Sequence, residues 1–173
     1  GNGKVQLKIS PIYKISDFGN FHEFHNHLKE NAPKINLAEQ GNLIQIKGIS
    51  HASLDLQDAQ VAERQAKSAE ITLKHYNCPI NIQTEYSNTL STGSGITLWA
   101  IFSKKKDEID INNPIRLGAD ALGERGKKAE IVGREAAQAL AAEIESKAPV
   151  DKHLADQLLP IMSLISNSGI KTS

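Results

Sequence analysis

A helical pattern enclosed by strand patterns constrains the fold of this chain more than any other feature. A strand is predicted over residues 43–49, and the apolar positions that follow recur at spacings of four, three, four and three, as on one helix face. These positions are Ala62, Ala66, Ala69, Leu73 and Tyr76. We predict that the helix begins at a cap formed by Ser53 or Asp55 and ends near Asn77.

Two more strands are predicted after this helix, over residues 80–86 and 96–102. The segment between them contains the turn-rich sequence Ser-Thr-Gly-Ser-Gly at 91–95. A glycine-rich loop can bind phosphate, but this one lacks the Lys-Ser/Thr ending of a P-loop and leads into a strand. We therefore interpret it as a hairpin loop, which makes the middle of the chain a βαββ-type unit of the α+β class.

The segments on either side of this unit have weaker patterns. We predict a strand at Lys4–Ile9, a loop or linker over 16–40, a charged turn over 104–108, and a short strand with a loop over 115–126. A long helix is predicted over 128–147, with its inner side marked by Val132, Ala136, Ala139, Leu140, Glu143 and Ile144. A last helix begins at Lys152 behind a cap at Asp151, and Pro160 should end or kink it. Because a single strand cannot bury itself, we expect the flanks to belong to another domain.

The composition restricts the functional classes. Twenty Lys and Arg residues balance twenty Asp and Glu residues, so the net charge gives no indication of nucleic-acid binding, although a local basic patch would suffice. The apolar stretches are too short and interrupted to span a membrane. The single cysteine, Cys78, permits no intrachain disulfide, and the first residues do not have the pattern of a signal peptide. We therefore expect a cytoplasmic protein.

Four side chains of types that bind metals crowd one short segment: His22, Glu23, His25 and His27. The segment is not a His-Glu-x-x-His motif, because Asn26 stands where the second histidine is required. We interpret it as an exposed polar loop and predict no metal site in this chain.

Basic residues are frequent in the segment over 116–134. They are Arg116, Arg125, Lys127, Lys128 and Arg134. A solvated surface and a phosphate-facing role are both compatible with this composition.

The predicted last helix carries the most specific pattern of polar residues. Leu154, Leu158 and Ile161 are predicted to share its inward face. On an adjoining face, ring nitrogens, a carboxylate and an amide come together, which suits the base and ribose of a nucleotide. These groups belong to His153, Asp156 and Gln157. Periodicity alone favours the alternative, an ordinary amphipathic helix with polar outer residues.

Four segments of the chain closely resemble motifs of the RNA 3′-terminal phosphate cyclase family. They are His-Leu-Ala-Asp-Gln-Leu at 153–158 after Val150-Asp151, Gly-Ala-Asp-Ala-Leu-Gly-Glu-Arg-Gly-Lys at 118–127, Val-Ala-Glu-Arg-Gln at 61–65 after Ile-Lys-Gly-Ile-Ser at 46–50, and Gly-Ser-Gly-Ile at 93–96. The matches occur in the order found in the family and cover most of the chain apart from roughly residues 11–38.

The resemblance implies a large α+β domain of repeated units that is interrupted by a small insert domain of thioredoxin-like topology. On that template, residues 38–125 are expected to form the insert. Residues 1–37 would supply a strand and linker of the large cyclase domain, and residues 126–173 would supply its helices.

The resemblance also implies an enzyme that uses ATP and a divalent metal ion, usually Mg²⁺. A histidine is adenylylated, AMP passes to an RNA 3′-terminal phosphate, and the vicinal 2′-hydroxyl displaces AMP to give a 2′,3′-cyclic phosphate. An unreactive phosphate thereby gains a good leaving group within reach of a hydroxyl. The implied partners are an RNA with a 3′-terminal phosphate and the remainder of the large domain.

Carried over residue by residue, the adenosine-binding element of the family corresponds to His153, Leu154, Ala155, Asp156 and Gln157. The nucleophilic histidine of the family lies in a His-x-x-Thr-Asn motif shortly after the Thr-Ser pair that matches Thr172-Ser173. We therefore expect no catalytic residue in this chain, and no activity from it alone. Two alternatives stay open: a non-catalytic, cyclase-like scaffold of ribosome assembly, and an RNA-binding module.

Overall fold

The computed structural model of the chain describes residues 6–104, 115–165 and 167–173. Its helices are α1 (Phe21–Asn31), α2 (Val61–Leu73), α3 (Ala129–Glu145) and α4 (Lys152–Met162). Its strands are β1 (Asn36–Leu37), β2 (Asn42–Ser53), β3 (Ile80–Ser87), β4 (Ser94–Ser103), β5 (Ile115–Leu122) and β6 (Gly169–Ile170). None of these helices combines the length and the apolar composition that crossing a lipid bilayer requires.

Four strands form a mixed sheet in the order β3-β2-β4-β5. β2 and β3 run parallel, whereas β4 runs antiparallel to both β2 and β5. The α+β class is therefore confirmed, and this order fits the thioredoxin-like topology that the resemblance implies. The hairpin interpretation of residues 91–95 is wrong, because β2 lies between β3 and β4. The connection passes the end of β2, and Ser94 and Gly95 already belong to β4.

Helix α2 packs against the sheet through the apolar helix face that the sequence predicted. Ala62, Ala66, Ala69 and Leu73 are all buried, which confirms the apolar stripe. The predicted start of the helix is wrong. Residues Leu54–Leu56 form a separate 3₁₀ turn, and Gln60 has a left-handed backbone with φ of 50°, so a continuous helix from Ser53 is excluded.

Helix α3 packs beside α2 on the same face of the sheet and completes the core. Its buried side chains include Val132, Ala136, Leu140 and Ile144, as predicted, whereas Ala139 is exposed. The sequence grouped this helix with flanks that lack a partner, but its apolar face contacts β4, β5 and α2.

The two helices cross closely because one of them has a glycine at the contact. A Cβ atom added to Gly133 would collide with the backbone carbonyl oxygen of Gln65. The two atoms would lie far inside a van der Waals contact, so only glycine fits this crossing unless a helix shifts.

The N-terminal flank differs from its predictions. Residues 6–10 are exposed and contain no strand, while Lys4 and Val5 lie outside the described residues, as do residues 105–108 of the predicted charged turn. The predicted loop over 16–40 contains helix α1. Its start is fixed by a reciprocal pair of hydrogen bonds: the Glu23 N–H donates to Asn20 Oδ1 at 3.0 Å, and the Gly19 N–H donates to Glu23 Oε2 at 3.1 Å.

The two flanks pair with each other. β1 and β6 form a two-stranded parallel sheet, with Asn36 opposite Gly169 and Leu37 opposite Ile170. Next to this sheet, the side chain of Gln40 is buried and donates hydrogen bonds to the carbonyl oxygens of Ile144 at 3.2 Å and Ala148 at 3.1 Å. These bonds satisfy carbonyl groups at the end of α3 and fix the chain where it enters the main sheet.

Candidate functional site

The start of α4 is anchored by one buried carboxylate. The Leu154 N–H donates to Asp151 Oδ1 at 2.8 Å, which confirms the predicted cap. The other oxygen of Asp151 accepts a longer hydrogen bond, 3.5 Å, from the Gly118 N–H in β5. The carboxylate therefore ties the helix start to the edge strand of the main sheet.

The anchored start also sets the rotation of α4. The inward row begins at Asp151 and continues through Ala155, Leu158 and Met162, at spacings of four, three and four. The predicted inward face is wrong for Leu154, which is 40% exposed, and for Ile161, which is 51% exposed, and right only for the half-buried Leu158. Periodicity identified the helix, but a buried polar cap that the pattern did not weigh decided which side faces inward.

The predicted nucleotide-binding residues divide into two groups. Ala155 is buried and seats the helix, whereas the other four are exposed: His153, Leu154, Asp156 and Gln157. The side chains of His153, Asp156 and Gln157 form no hydrogen bond with any part of the chain that the structure describes. Ring nitrogens, a carboxylate and an amide are therefore open to a ligand along one side of α4.

A second candidate site is a cleft at the starts of α2 and α3. It has a volume of about 660 Å³ and lies between α2, the loop over 92–94 and the loop over 123–128. Its basic lining residues are Arg64, Arg125, Lys127 and Lys128. Of the five basic residues that the sequence singled out, Arg116 and Arg134 are not part of this lining.

Two of the basic residues in this cleft are paired with acids of α3. Arg64 forms a two-pronged bond with Glu130, with Nε–Oε1 at 2.7 Å and Nη2–Oε2 at 2.9 Å. These hydrogen bonds lower the pKa of Glu130 to about 2 and raise the pKa of Arg64. Lys127 Nζ lies 2.5 Å from Glu135 Oε2. Arg125 and Lys128 are both exposed and form no salt bridge with the described residues, although the charge of Lys128 also helps to lower the pKa of Glu130.

A chain of buried hydrogen bonds holds the cleft in shape. The Oγ of Ser50 donates to Gln65 Oε1 at 2.8 Å, and Gln65 Nε2 donates to Ser94 Oγ at 3.0 Å. The loop that precedes Ser94 is fixed as well, because the Gly93 N–H donates to Ser53 Oγ at 3.1 Å. Since Gln65 is fully buried, this connection between β2, α2 and β4 is rigid and shielded from water.

The histidine-rich segment lies on α1 and not on a loop. His22 Nε2 pairs with the side-chain amide of Asn26 at 3.1 Å, and His27 Nδ1 pairs with that of Asn31 at 3.3 Å. The rings thus bond to amides one helical turn away and do not converge. Among residues 6–104, 115–165 and 167–173, no group of three or more His, Cys, Asp or Glu side chains is arranged to hold a metal ion.

The sequence missed the cleft because its walls come from segments far apart in the chain. Arg64 lies on α2, Gly93 lies before β4, and Arg125 follows β5, so no single motif contains them. Two signals pointed to its parts: the basic bias over 116–134 that includes Arg125, Lys127 and Lys128, and the resemblance to which Val-Ala-Glu-Arg-Gln at 61–65, Gly-Ser-Gly-Ile at 93–96 and the segment at 118–127 all belong. These are the three segments that meet at the cleft.

A four-stranded mixed sheet with both helices on one face, followed by the separately capped α4, defines a small α+β domain with an attached helix. The family profile described as RNA 3′-terminal phosphate cyclase (RTC), insert domain, matches residues 38–145. This range contains the whole main sheet together with α2 and α3. The chain therefore belongs to the RNA 3′-terminal phosphate cyclase family.

Curated relatives named RNA 3′-terminal phosphate cyclase extend the similarity beyond the insert. The protein of Pyrococcus furiosus is 48% identical over 76% of this chain and 35% of its own length. That of Caldivirga maquilingensis is 40% identical over 95% of this chain and 40% of its own length. That of Staphylothermus marinus is 39% identical over 98% of this chain and 42% of its own length. The chain thus spans about two fifths or less of the length of these relatives.

Proposed function

We propose that this chain is part of an ATP-dependent RNA 3′-terminal phosphate cyclase. The observation that carries the proposal is the similarity to proteins of that name over 95–98% of the chain, which includes the α4 motif. The cytoplasmic location expected from the sequence belongs to this proposal. So does the division of the chain. The sequence analysis ended the insert at residue 125, and we extend it to the end of α3, because that helix packs against β4, β5 and α2. The β1–β6 pair and α4 would belong to the large domain.

The proposed reaction transfers AMP twice. A histidine nitrogen outside this chain attacks the α-phosphorus of ATP, and pyrophosphate leaves. An oxygen of the RNA 3′-phosphate then attacks the same phosphorus and frees the histidine. Finally the 2′-hydroxyl attacks the 3′-phosphorus, loses its proton, and displaces AMP to close the cyclic phosphate. A divalent metal ion, usually Mg²⁺, belongs to this proposal and would neutralise phosphate charge. Residues 6–104, 115–165 and 167–173 arrange no group of three or more His, Cys, Asp or Glu side chains that would hold it.

Helix α4 would contribute to binding the adenosine. Asp156 can accept hydrogen bonds from the ribose hydroxyls, and Gln157 can both donate and accept. His153 and the exposed part of Leu154 would border the base, while buried Ala155 would hold the helix in place. The cap at Asp151 would act indirectly, through the position of the helix.

The test measures ATP affinity in a protein that extends this chain to the length of its relatives. Asp156→Ala and Gln157→Ala should each weaken ATP binding by about 2- to 13-fold, the loss expected for one hydrogen bond to a neutral ligand group. Gln138→Ala, at an exposed position of α3, is the matched control and should leave affinity unchanged. Asp151→Ala should reduce stability by about 0.5–2 kcal/mol with only a small effect on ATP. If Asp156→Ala and Gln157→Ala destabilise the fold without changing ATP affinity, α4 is a structural helix.

The assignment of the nucleophile has a separate test. The 173-residue chain, incubated with ATP labelled in its α-phosphate, should form no covalent adduct with AMP, because the proposed nucleophile lies outside it. The extended protein should form one. Acid-labile label on His153 in the short chain would overturn the assignment. An extended protein that binds ATP without becoming labelled would favour the scaffold alternative.

A further inference from the structure

We propose that the cleft between the starts of α2 and α3 binds the phosphodiester backbone of single-stranded RNA. The inference rests on the proposed function only in taking RNA as the ligand. It places an RNA contact on the insert, away from α4 and from the nucleotide proposed to bind there. Its support comes from the charge of the lining, its shape, and the side chains that the lining lacks.

Two exposed cations of the cleft favour an anion. Four basic residues line it, and the nearby acids are Glu124 in the lining, Glu130 and Glu135, which pair with Arg64 and Lys127, and Asp55, which accepts a hydrogen bond from the lining residue Thr92. Arg125 and Lys128 are exposed and form no salt bridge with the described residues, so their side chains can turn toward a phosphate; Glu130 acts on Lys128 only through its charge. Exposed cations of this kind bind phosphate by releasing counterions.

The shape of the cleft leaves room next to its backbone. Gly93 lines the cleft, its φ lies outside the left-handed region, and a Cβ atom added there would meet no atom within 4 Å. Neither backbone conformation nor packing therefore requires glycine at this position. Glycine instead keeps the space beside the loop open, which a backbone phosphate passing close to the protein needs.

The lining indicates a chain of phosphates and not a nucleotide base. None of its side chains is aromatic, so it offers no surface for base stacking. The cations also come from two elements, Arg64 from α2 and Arg125 with Lys128 from the segment that precedes α3. Contacts spread in this way follow a backbone and are independent of base sequence.

The experiment measures binding of the 173-residue chain to a labelled single-stranded RNA of about 12 nucleotides by fluorescence anisotropy at several salt concentrations. The RNA ends in a 3′-hydroxyl, so that recognition of a terminal phosphate is not required. Arg125→Gln/Lys128→Gln should weaken binding about 10-fold near 100 mM salt, and should lower the slope of log affinity against log salt by about 1.4. The matched control is Lys74→Gln/Arg116→Gln, which removes the same charges at the opposite end of the sheet and should change neither quantity.

A second pair of variants tests RNA binding in the cleft while leaving Arg125 and Lys128 unchanged. Gly93→Glu and Gly93→Gln add side chains of equal size to the open space, so the additional loss of binding in Gly93→Glu measures charge repulsion alone. Equal affinities for these two variants, or equal losses in the cleft and control double variants, would overturn the proposal. It would also be overturned if ATP displaced the RNA and lost its own affinity in the cleft double variant, because the cleft would then be a nucleotide site.

These outcomes can be distinguished from failure of the proposed function. An extended protein that forms no adduct with AMP, while the cleft variants still lose RNA affinity, would refute the cyclase and leave the RNA site standing. If the extended protein is adenylylated normally and the cleft variants bind RNA like the wild type, the RNA site is refuted and the proposed cyclase stands.

Discussion

The sheet unit over residues 42–145 and the flanks that enclose it differ in how they bury apolar side chains. Every member of the main hydrophobic cluster lies between Ile46 and Ile144. Among the described residues, large apolar side chains that are more than one third exposed are more frequent in the flanks, although the flanks are shorter. The flanks have ten: Leu7, Ile9, Ile12, Tyr13, Ile15, Phe21, Leu154, Leu159, Ile161 and Leu164. The sheet unit has four: Leu54, Ile71, Leu90 and Leu122. Apolar residues are present in both regions, so what differs is the presence of a partner surface.

Helices α3 and α4, which follow each other in the chain, show the same difference in the burial of apolar side chains. Both have an apolar side, but α3 buries seven residues against the sheet and α2, whereas α4 buries only Ala155. A helix is stabilised mainly by packing of its apolar face, because its own hydrogen bonds form at little net gain. Amphipathicity therefore indicates which face needs cover and does not identify the element that covers it.

The largest expected effect comes from truncating one leucine in each of these helices. Leu140→Ala should lower the free energy of unfolding by about 2–5 kcal/mol, because Leu140 is fully buried and its loss leaves a cavity. Leu159→Ala should change it by about 0.5 kcal/mol or less, because that side chain is 56% exposed. Urea denaturation of the two variants measures both values. Equal losses would mean that α4 is as tightly packed in solution as α3, which would remove the contrast between the regions.

An intermediate effect is expected where α2 and α3 cross. Gly133→Ala should reduce stability by up to about 2 kcal/mol, because the clash with the Gln65 carbonyl outweighs the roughly 1 kcal/mol that alanine gains in a helix. Gly93→Ala, in open space, is the matched control and should be neutral or slightly stabilising. Thermal and urea denaturation test the pair. If Gly133→Ala is as stable as the wild type, the contact between α2 and α3 adjusts to an added methyl group more readily than a closely packed core should.

The smallest effect concerns the ion pair at the edge of the sheet unit, and it depends on pH. The pKa of Glu130 is lowered from 4.5 to about 2, so the folded state favours the ionised carboxylate. Its contribution is therefore complete above pH 4.5 and is lost as the pH falls toward 2. The difference in urea midpoint between wild type and Glu130→Gln should shrink over that range. Glu70→Gln, on the exposed side of α2, is the control. A difference that does not vary with pH would contradict the role of the carboxylate charge.

The sequence predicted those parts of the fold that depend on local periodicity. Helices α2 and α3 and strands β2 to β5 were all expected from their apolar patterns, and Asp151 was expected as a cap. Helix α1 was missed although Asn20 and Glu23 have the spacing of a capping box, because the surrounding histidines and asparagines hide any apolar period. The left-handed Gln60 that delays α2 has no comparable signal in the sequence.

The two candidate sites also differ in whether the sequence alone could identify their residues. The α4 residues could be named from the sequence, since they are contiguous and resemble a family motif. The cleft could not, because Arg64, Gly93 and Arg125 meet only after β4 has paired with β2 and β5. Which basic residues face one another is a property of the sheet order, and sheet order is not local.

Local patterns and motifs in the sequence were sufficient to predict an α+β protein of the cyclase family, with a central strand–helix–strand unit and a capped last helix. Helical and strand periods are set by backbone geometry, so they can be recognised in a single chain. Three features could be seen only in the folded chain: α3 belongs to the core, β2 separates β3 from β4, and α4 faces inward through Ala155. Each of these outcomes depends on contacts between residues distant in sequence, whose energies no local pattern contains.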